Sequence, residues 1–186
     1  MEHSSRIQAG ILLVAEPFME DIHFRHSVVL LCHKTADGSF GFILNKPTGI
    51  KVSDALDDFP WEEYMLYEGG PVEKDTIHFI STRGDLIQNS KKISENVYWG
   101  GDFDSLKLLI DTKQITPNDV KFFIGYSGWD AGQIEDEVEQ KSWILTEAKE
   151  EFVFLKDTGK IWRHVLLSLG DNFRFIANIP ENPNLN

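Results

Sequence analysis

The sequence predicts an α+β domain built on a mainly antiparallel or mixed sheet with a few covering helices. Three observations predict it: strand-like segments outnumber helix-like ones, the helices come singly, and one hairpin is clear. No internal repeat or low-complexity linker interrupts the 186 residues. We therefore expect one domain spanning residues 1–186, with flexible tails at 1–9 and 178–186.

The first strands lie in the N-terminal quarter. The apolar run Ile11–Ala15 ends at a Glu-Pro pair, which is typical of a strand buried on both faces. Residues 28–31 and 40–44 flank the segment Ala36-Asp-Gly38, and Asp-Gly is a strong turn signal, so these two strands should form a hairpin. The turn residues 45–49 are then expected to end the second strand.

The middle of the chain predicts short strands and two short helices. Strands are expected at residues 65–68, 76–81 and 96–99. Ser53 is expected to cap one or two helical turns that end near Pro60. Asp102 should cap a second helix over 103–110, where the apolar residues follow helical spacing.

The last third predicts a strand, a loop and a helix in succession. Residues 120–124 are strand-like, 125–132 are rich in glycine, and 133–140 have the composition of a short acidic helix. Trp143 begins a candidate last central strand over 143–146. A final helix is expected over 161–169, with Gly170 as its C-terminal cap.

Composition and charge exclude some classes of function. Hydrophobic residues make up 41% and charged residues 26%, which is typical of a folded domain. Asp and Glu number 30 against 18 Lys and Arg, for a net charge of -12. Phosphate backbones attract basic surfaces, so direct nucleic-acid binding is disfavoured, although a local basic patch stays open.

The sequence leads us to expect no secretory targeting. Cys32 is the single cysteine, so no internal disulfide is expected, and the N-terminus lacks the basic start and apolar run of a secretory signal. The longest apolar runs are far below the roughly 20 residues that cross a bilayer. We expect a cytoplasmic protein without a membrane segment.

Ser127 is the candidate catalytic residue. It lies in Gly125-Tyr-Ser-Gly-Trp129, which is similar to the nucleophile elbow G-x-S-x-G, but the second glycine falls one place early. Spacing alone identifies no ordered Asp and His partners. A hydrolase that uses Ser127 is therefore an alternative, and not the leading interpretation.

Two further chemistries have weak signals. The glycine-rich stretch could present backbone N–H groups to an anion, but no Lys or Arg lies between Gly125 and Gln140 and several carboxylates do. Asp21, His23 and His26 could supply metal ligands, but a second separated pair of ligands is missing. Cys32 and its neighbour His33 point to opposite faces of a strand, so they cannot pair. No cofactor or metal is expected.

The leading hypothesis is a non-enzymatic binding or regulatory module that acts through a protein or small-molecule ligand. Polar and glycine-rich turns after three predicted strands would form its site, since a sheet fixes the groups at its strand ends. Trp129 is expected to add a stacking surface. The candidate residues are Asn45, Lys46, Pro47, Gly69, Gly70, Pro71, Gly125, Ser127, Gly128, Trp129, Gly132, Gln133 and Glu135.

The chain resembles the YqgE/AlgH family of bacterial proteins over nearly its whole length. The matching motifs occur in order: Gly10-Ile-Leu-Leu-Val-Ala-Glu-Pro17, Gly38-Ser-Phe-Gly-Phe-Ile-Leu-Asn-Lys-Pro47, Tyr67-Glu-Gly-Gly-Pro-Val72 and Gly125-Tyr-Ser-Gly-Trp-Asp-Ala-Gly-Gln-Ile-Glu-Asp-Glu137. Asp21, Phe24, Ser27, Val28, Trp143 and Trp162 match as well. The resemblance implies a coiled, bifurcated antiparallel sheet that forms a pseudo-barrel.

For function the resemblance implies little. The family has no established enzymatic activity, and its label of putative transcriptional regulator names no mechanism, so a regulator that contacts DNA directly is a third alternative. Two departures weaken acid–base chemistry. The family's histidine after the second strand falls on Lys34, beside His33, and a second family histidine falls on Ser81. Lysine does not exchange protons near neutral pH at its ordinary pKa.

Overall fold

The computed structural model describes residues 7–179. Within them lie ten strands and five α-helices, besides short 3₁₀ turns. The strands are β1 (Ile11–Ala15), β2 (Val28–Lys34), β3 (Gly38–Ile43), β4 (Pro47–Lys51), β5 (Met65–Glu68), β6 (Val72–Ser81), β7 (Lys91–Ser94), β8 (Val97–Trp99), β9 (Val120–Asp130) and β10 (Trp143–Glu147). The helices are α1 (Val52–Ala55), α2 (Phe103–Asp111), α3 (Gln133–Glu139), α4 (Glu150–Val153) and α5 (Ile161–Ser168).

The strands form one curled sheet in the order β10-β1-β2-β3-β9-β6-β8-β7, with β4 and β5 branching off beside β9. All pairings are antiparallel except β5 with β9. β9 joins the two halves: its last residues pair with β3, and its first residues pair with β5 and β6. The predicted α+β class with a bifurcated antiparallel sheet is confirmed.

Three apolar clusters hold the sheet and helices together. One face of β1–β3 packs with α4 and α5 around Leu30, Phe42 and Trp162. The opposite face packs with α3 around Leu31 and Ile134, and α2 covers the β5, β6 and β9 end of the sheet. β1 is buried along its whole length, as its uninterrupted apolar run predicts.

Several local predictions are confirmed. β2 and β3 form the predicted hairpin. Asp102 caps α2 by accepting a hydrogen bond from the Ser105 backbone N–H at 2.7 Å. The acidic helix and the final helix also form where the sequence predicts them, as α3 and α5.

Other local predictions are wrong. β3 ends before residues 45–49, as predicted, but these residues are not only a turn: Pro47 begins β4, a short strand away from the main order, where a missing N–H costs little. Lys51, not Ser53, is the N-cap of α1. The predicted last central strand is β10, which lies at a sheet edge and is buried at Trp143 by cross-sheet packing. The sequence signals missed β7 and α4.

The largest correction concerns the glycine-rich stretch, predicted as a loop over residues 125–132. β9 continues through it to Asp130. Gly125 has φ +66°, a left-handed conformation that kinks the strand without ending it. The glycines of β9 therefore allow the strand to bend, and they do not form a phosphate-binding loop.

Most of the two predicted tails, 1–9 and 178–186, lies outside the described residues. Among those described, Ile7 is buried in the core and Asn178 belongs to the turn Ile176–Asn178. No helix between residues 7 and 179 is long and apolar enough to cross a membrane.

Candidate functional site

An open groove of about 650 Å³ lies where β3, β9, β6 and β8 meet. We call it the aromatic groove. The groups that define it are three aromatic rings and two imidazoles: Phe40, Trp99, Tyr126, His33 and His78. Its other lining residues are Thr35, Asp37, Gly38, Ser39, Val72, Gly128, Trp129, Asp130 and Gln133.

The three rings form the floor of the groove. The ring centroid of Phe40 is 4.8 Å from that of Trp99 and 5.9 Å from that of Tyr126, and both pairs meet edge to face. Phe40 pairs with Gly128 across β3 and β9, and glycine leaves the space above the rings open. All three rings are half-buried, so each keeps a surface on which a ligand can stack.

The two imidazoles flank this floor. His33 is exposed, with its ring centroid 5.7 Å from Phe40. His78 is half-buried, meets Tyr126 edge to face at 6.0 Å, and its Nε2 lies 3.0 Å from the Thr76 hydroxyl. Burial lowers the pKa of His78, against a smaller opposing effect of the Glu73 charge. His78 is therefore uncharged at neutral pH.

The rim of the groove is acidic. Asp37 and Asp130 are exposed carboxylates on its lining, and the lining contains no Lys or Arg. Burial and the negative charge of Glu73 raise the pKa of Tyr126, so its hydroxyl keeps its proton. An aromatic floor, neutral hydrogen-bonding groups and a carboxylate rim can bind a flat or apolar group that bears a positive charge.

Trp129 and Gln133 are among the lining residues of the groove, but they do not play the predicted part. Trp129 is 4% exposed. Its ring packs on Phe24 and Trp143, and its Nε1 donates to Glu137 Oε2 at 2.9 Å. The predicted stacking surface at Trp129 is therefore wrong, because the other face of β9 packs against α3 and buries the indole. Gln133 is exposed and bridges Asp130 N–H to Glu137.

Asn45, Lys46 and Pro47 lie outside the lining of the groove. The Asn45 side chain accepts from Val28 N–H at 2.9 Å and donates to the His26 carbonyl at 2.8 Å. Lys46 Nζ donates to the His23 carbonyl at 2.7 Å. These side chains hold the loop before β2 in place, and Pro47 begins β4.

The glycines of the second predicted turn are packing residues. A Cβ on Gly69 would lie 2.2 Å from the Gly125 carbonyl oxygen, and one on Gly70 would lie 2.3 Å from the Tyr126 carbonyl. This turn and β9 therefore pack backbone to backbone. Pro71 is exposed next to them.

Ser127 does not have the surroundings of a nucleophile. It is fully buried, and its hydroxyl donates to the Gly69 carbonyl at 3.0 Å. Within residues 7–179 it has no hydrogen bond to an imidazole or carboxylate. It lies inside a continuous strand, whereas a nucleophile elbow needs a sharp turn between strand and helix.

The two family histidine positions also have structural partners. Lys34 Nζ forms an ion pair with Glu135 at 2.7 Å, which joins β2 to α3. Burial raises the pKa of Glu135, but the hydrogen bond and charge of Lys34 outweigh this effect and hold it below its usual value. Ser81 is buried and accepts from Arg83 N–H at 2.9 Å. Gly132, beside this ion pair, is the N-cap of α3.

The weaker sequence candidates do not assemble into a site. Asp21 accepts from the His23 backbone, and the His26 ring stacks on Trp162 with centroids 4.0 Å apart. The described residues contain no group of three or more His, Cys, Asp and Glu side chains placed to hold a metal ion. Cys32 is buried, and burial raises the pKa of its thiol.

Sequence reasoning missed most of the groove. Phe40 and Phe42 alternate with smaller residues along β3, and this two-residue period was the available signal for a shared face. Trp99 and His78 come from strands far along the chain, and no local pattern brings them to Phe40. Lys121, a buried lysine on β9, was also missed.

The comparisons with known proteins settle the family. Residues 12–174 match the family model described as AlgH-like. The chain belongs to the AlgH-like family. A UPF0301 protein of Chlorobium limicola is 43% identical over 181 residues, and one of Chlorobaculum parvum is 41% identical over 180. The first alignment covers 97% of both chains, and the second 97% of this chain and 96% of the relative.

Two solved structures share the AlgH-like fold. A crystal structure of a Corynebacterium diphtheriae protein superposes with a TM-score of 0.78 at 20% identity, covering 92% of each chain. The solution structure of AlgH from Pseudomonas aeruginosa superposes with a TM-score of 0.72 at 24% identity, covering 91% of this chain and 92% of AlgH. The resemblance inferred from the sequence motifs is confirmed, and so is the curled antiparallel sheet.

Proposed function

We propose that this AlgH-like protein is a non-enzymatic binding module whose aromatic groove takes a small organic cation with a flat apolar body. The observation that carries the proposal is the floor of three half-exposed rings under a rim of carboxylates. Aromatic faces attract cations through their quadrupole, and nearby carboxylates add a direct charge interaction.

The surroundings of Trp99 support this choice of ligand. Lys91 Nζ lies 5.1 Å from the centroid of the Trp99 ring, so this indole accepts a cation on its face, and a cationic ligand must displace the exposed Lys91 side chain to bind there. The uncharged His78 and the protonated Tyr126 hydroxyl supply hydrogen bonds without repelling a positive group. A regulatory role would follow if the bound cation changes how the chain meets a partner protein.

A pair of matched ligands tests the proposal. Tryptamine and indole-3-propionate share the indole ring and carry opposite charges. In calorimetric titrations we expect tryptamine to bind with a Kd of about 10 µM to 1 mM and indole-3-propionate about tenfold or more weakly. Equal affinities would contradict the charge preference, and no binding of either compound would contradict the site.

Variants separate the ring and charge contributions. Trp99→Ala should abolish tryptamine binding, because it removes one of the three aromatic rings on which the ligand stacks. The double change Asp37→Asn and Asp130→Asn should weaken tryptamine about three- to tenfold and bring the two ligands closer together. Asp171→Asn is the matched control: its carboxylate is exposed and does not line the groove, so tryptamine affinity should stay unchanged.

A further inference from the structure

Lys121 is a buried lysine away from the aromatic groove. It lies on β9 and is 7% exposed, and no other charged residue between positions 7 and 179 is buried to this extent. Two partly buried lysines have carboxylate partners: Lys34 pairs with Glu135, and Lys107 with Asp58 and Asp104. A third, Lys46, donates to two backbone carbonyls. Lys121 forms no ion pair with any described residue.

The described residues give this amine one hydrogen bond and one aromatic face, but no carboxylate partner. Nζ donates to the Val153 carbonyl of α4 at 2.9 Å and lies 5.0 Å from the centroid of the Tyr67 ring. A charged ammonium has three N–H groups to satisfy, and the described partners satisfy one. Desolvation by burial lowers the pKa of Lys121 to about 7. A large fraction of the side chain therefore carries a free lone pair at neutral pH.

A small cavity is lined in part by Lys121. Its volume is about 150 Å³, and Lys121, Tyr64, Tyr67 and Phe154 line it. Its remaining ionisable lining groups are Glu63 and Lys156, both exposed. Burial raises the pKa values of Tyr64 and Tyr67, so neither phenol is charged near neutral pH. The space suits a neutral molecule of about three to six non-hydrogen atoms.

We propose that Lys121 forms a Schiff base with small uncharged aldehydes or ketones that enter this cavity. The Nζ lone pair attacks the carbonyl carbon, a C–N bond forms, and the carbonyl oxygen takes up a proton to give a carbinolamine. The C–O bond then breaks, and the oxygen leaves as water with both hydrogens of the former amine, leaving a C=N bond. No oxidant or reductant takes part, and water reverses the reaction.

Reductive trapping tests this proposal on the full chain. The native protein is incubated with propanal and cyanoborohydride at pH 7, and peptide mass mapping measures the rate at which each lysine gains one propyl group. Lys156 is the internal reference, because it lines the same cavity but is exposed. We expect Lys121 to react at least about tenfold faster than Lys156, since burial lowers the pKa of Lys121 to about 7.

Two variants, a pH series and a urea control make the outcome unambiguous. Lys121→Arg keeps a cation and removes the amine, so the fast propylation should disappear, while Lys156→Arg should leave the rate at Lys121 unchanged. The rate at Lys121 should level off above pH 7, because its pKa is about 7. In urea-unfolded protein the two lysines should react equally. A native Lys121 that reacts no faster than Lys156 would overturn the proposal.

Discussion

Lys121 is a buried lysine that has no carboxylate partner among the described residues. Its Nζ has one hydrogen bond, to the Val153 carbonyl, and burial brings its pKa from 10.5 to about 7. Between these two pH values the unfolded chain binds a proton that the folded chain does not hold. The free energy of unfolding of the wild type therefore rises with pH across this window, and the cost of Lys121 is complete below pH 7.

Replacing this lysine should stabilise the protein. At about 1.4 kcal/mol per pH unit, the lowered pKa of Lys121 corresponds to a cost of roughly 3–5 kcal/mol in the free energy of unfolding. Loss of the hydrogen bond to Val153 reduces the gain from removing the lysine by about 1 kcal/mol. We expect Lys121→Met to raise the free energy of unfolding at pH 6 by about 2–4 kcal/mol, with the gain shrinking from pH 7 towards 10.5. Urea unfolding at several pH values measures this. Lys156→Met is the exposed control, and a destabilised Lys121→Met at pH 6 would refute the argument.

At the residue scale, the sequence predicted local backbone conformation better than the burial of individual side chains. Asp102 was recognisable as a cap because its partner is the N–H of Ser105, three residues away. Trp129 was wrongly predicted to be a stacking surface, because its burial depends on two residues outside its own strand. Phe24 lies about a hundred residues earlier in the chain, and Trp143 lies on β10. A local pattern shows that a tryptophan follows a glycine, and only the packed sheet shows which face of it is covered.

At the element scale, β9 explains why the glycine-rich motifs were interpreted as loops. Glycine is typical of turns, but it is also needed wherever two backbones approach more closely than a Cβ allows. The segment at Gly69 and Gly70 passes against β9 in this way, and the Gly69 N–H donates a hydrogen bond to the Ile124 carbonyl at 2.9 Å. The spacing of these motifs could not reveal the approach, because it joins segments more than fifty residues apart.

A pair of glycine substitutions tests this interpretation of the element. Gly69→Ala would put a Cβ 2.2 Å from the Gly125 carbonyl oxygen, so β5 and β9 must separate, and we expect a loss of about 3 kcal/mol or more. Gly159→Ala is the matched control, since its nearest neighbour would be 3.7 Å away and its φ is ordinary. It should be neutral or stabilise by up to about 1 kcal/mol. Thermal unfolding compares the two, and similar melting temperatures would contradict the close-approach interpretation.

At the scale of the whole molecule, the sequence predicted the fold class and the family but not the location of the site. The short strands predicted a mainly antiparallel or mixed sheet, and the family resemblance carried by the ordered motifs implied a bifurcated one. The pairing of β9 with β3, β5 and β6 confirms it. The aromatic groove needs β8 to lie beside β6, and β6 beside β9, before Trp99 can reach Phe40. Such long-range order depends on the total packing of three apolar clusters, and no short segment contains that information.

The net charge of the whole chain leads to a prediction about nucleic acids. A charge of -12 repels the phosphate backbone, and the one groove of about 650 Å³ described between residues 7 and 179 has carboxylates on its rim and no Lys or Arg on its lining. Counterion release needs basic side chains in contact with phosphates. We therefore expect no binding of the full chain at about 10 µM to a labelled duplex at about 50 mM salt, measured by fluorescence anisotropy. A duplex affinity that falls steeply as salt rises would instead identify a local basic surface and favour a regulator that contacts DNA directly.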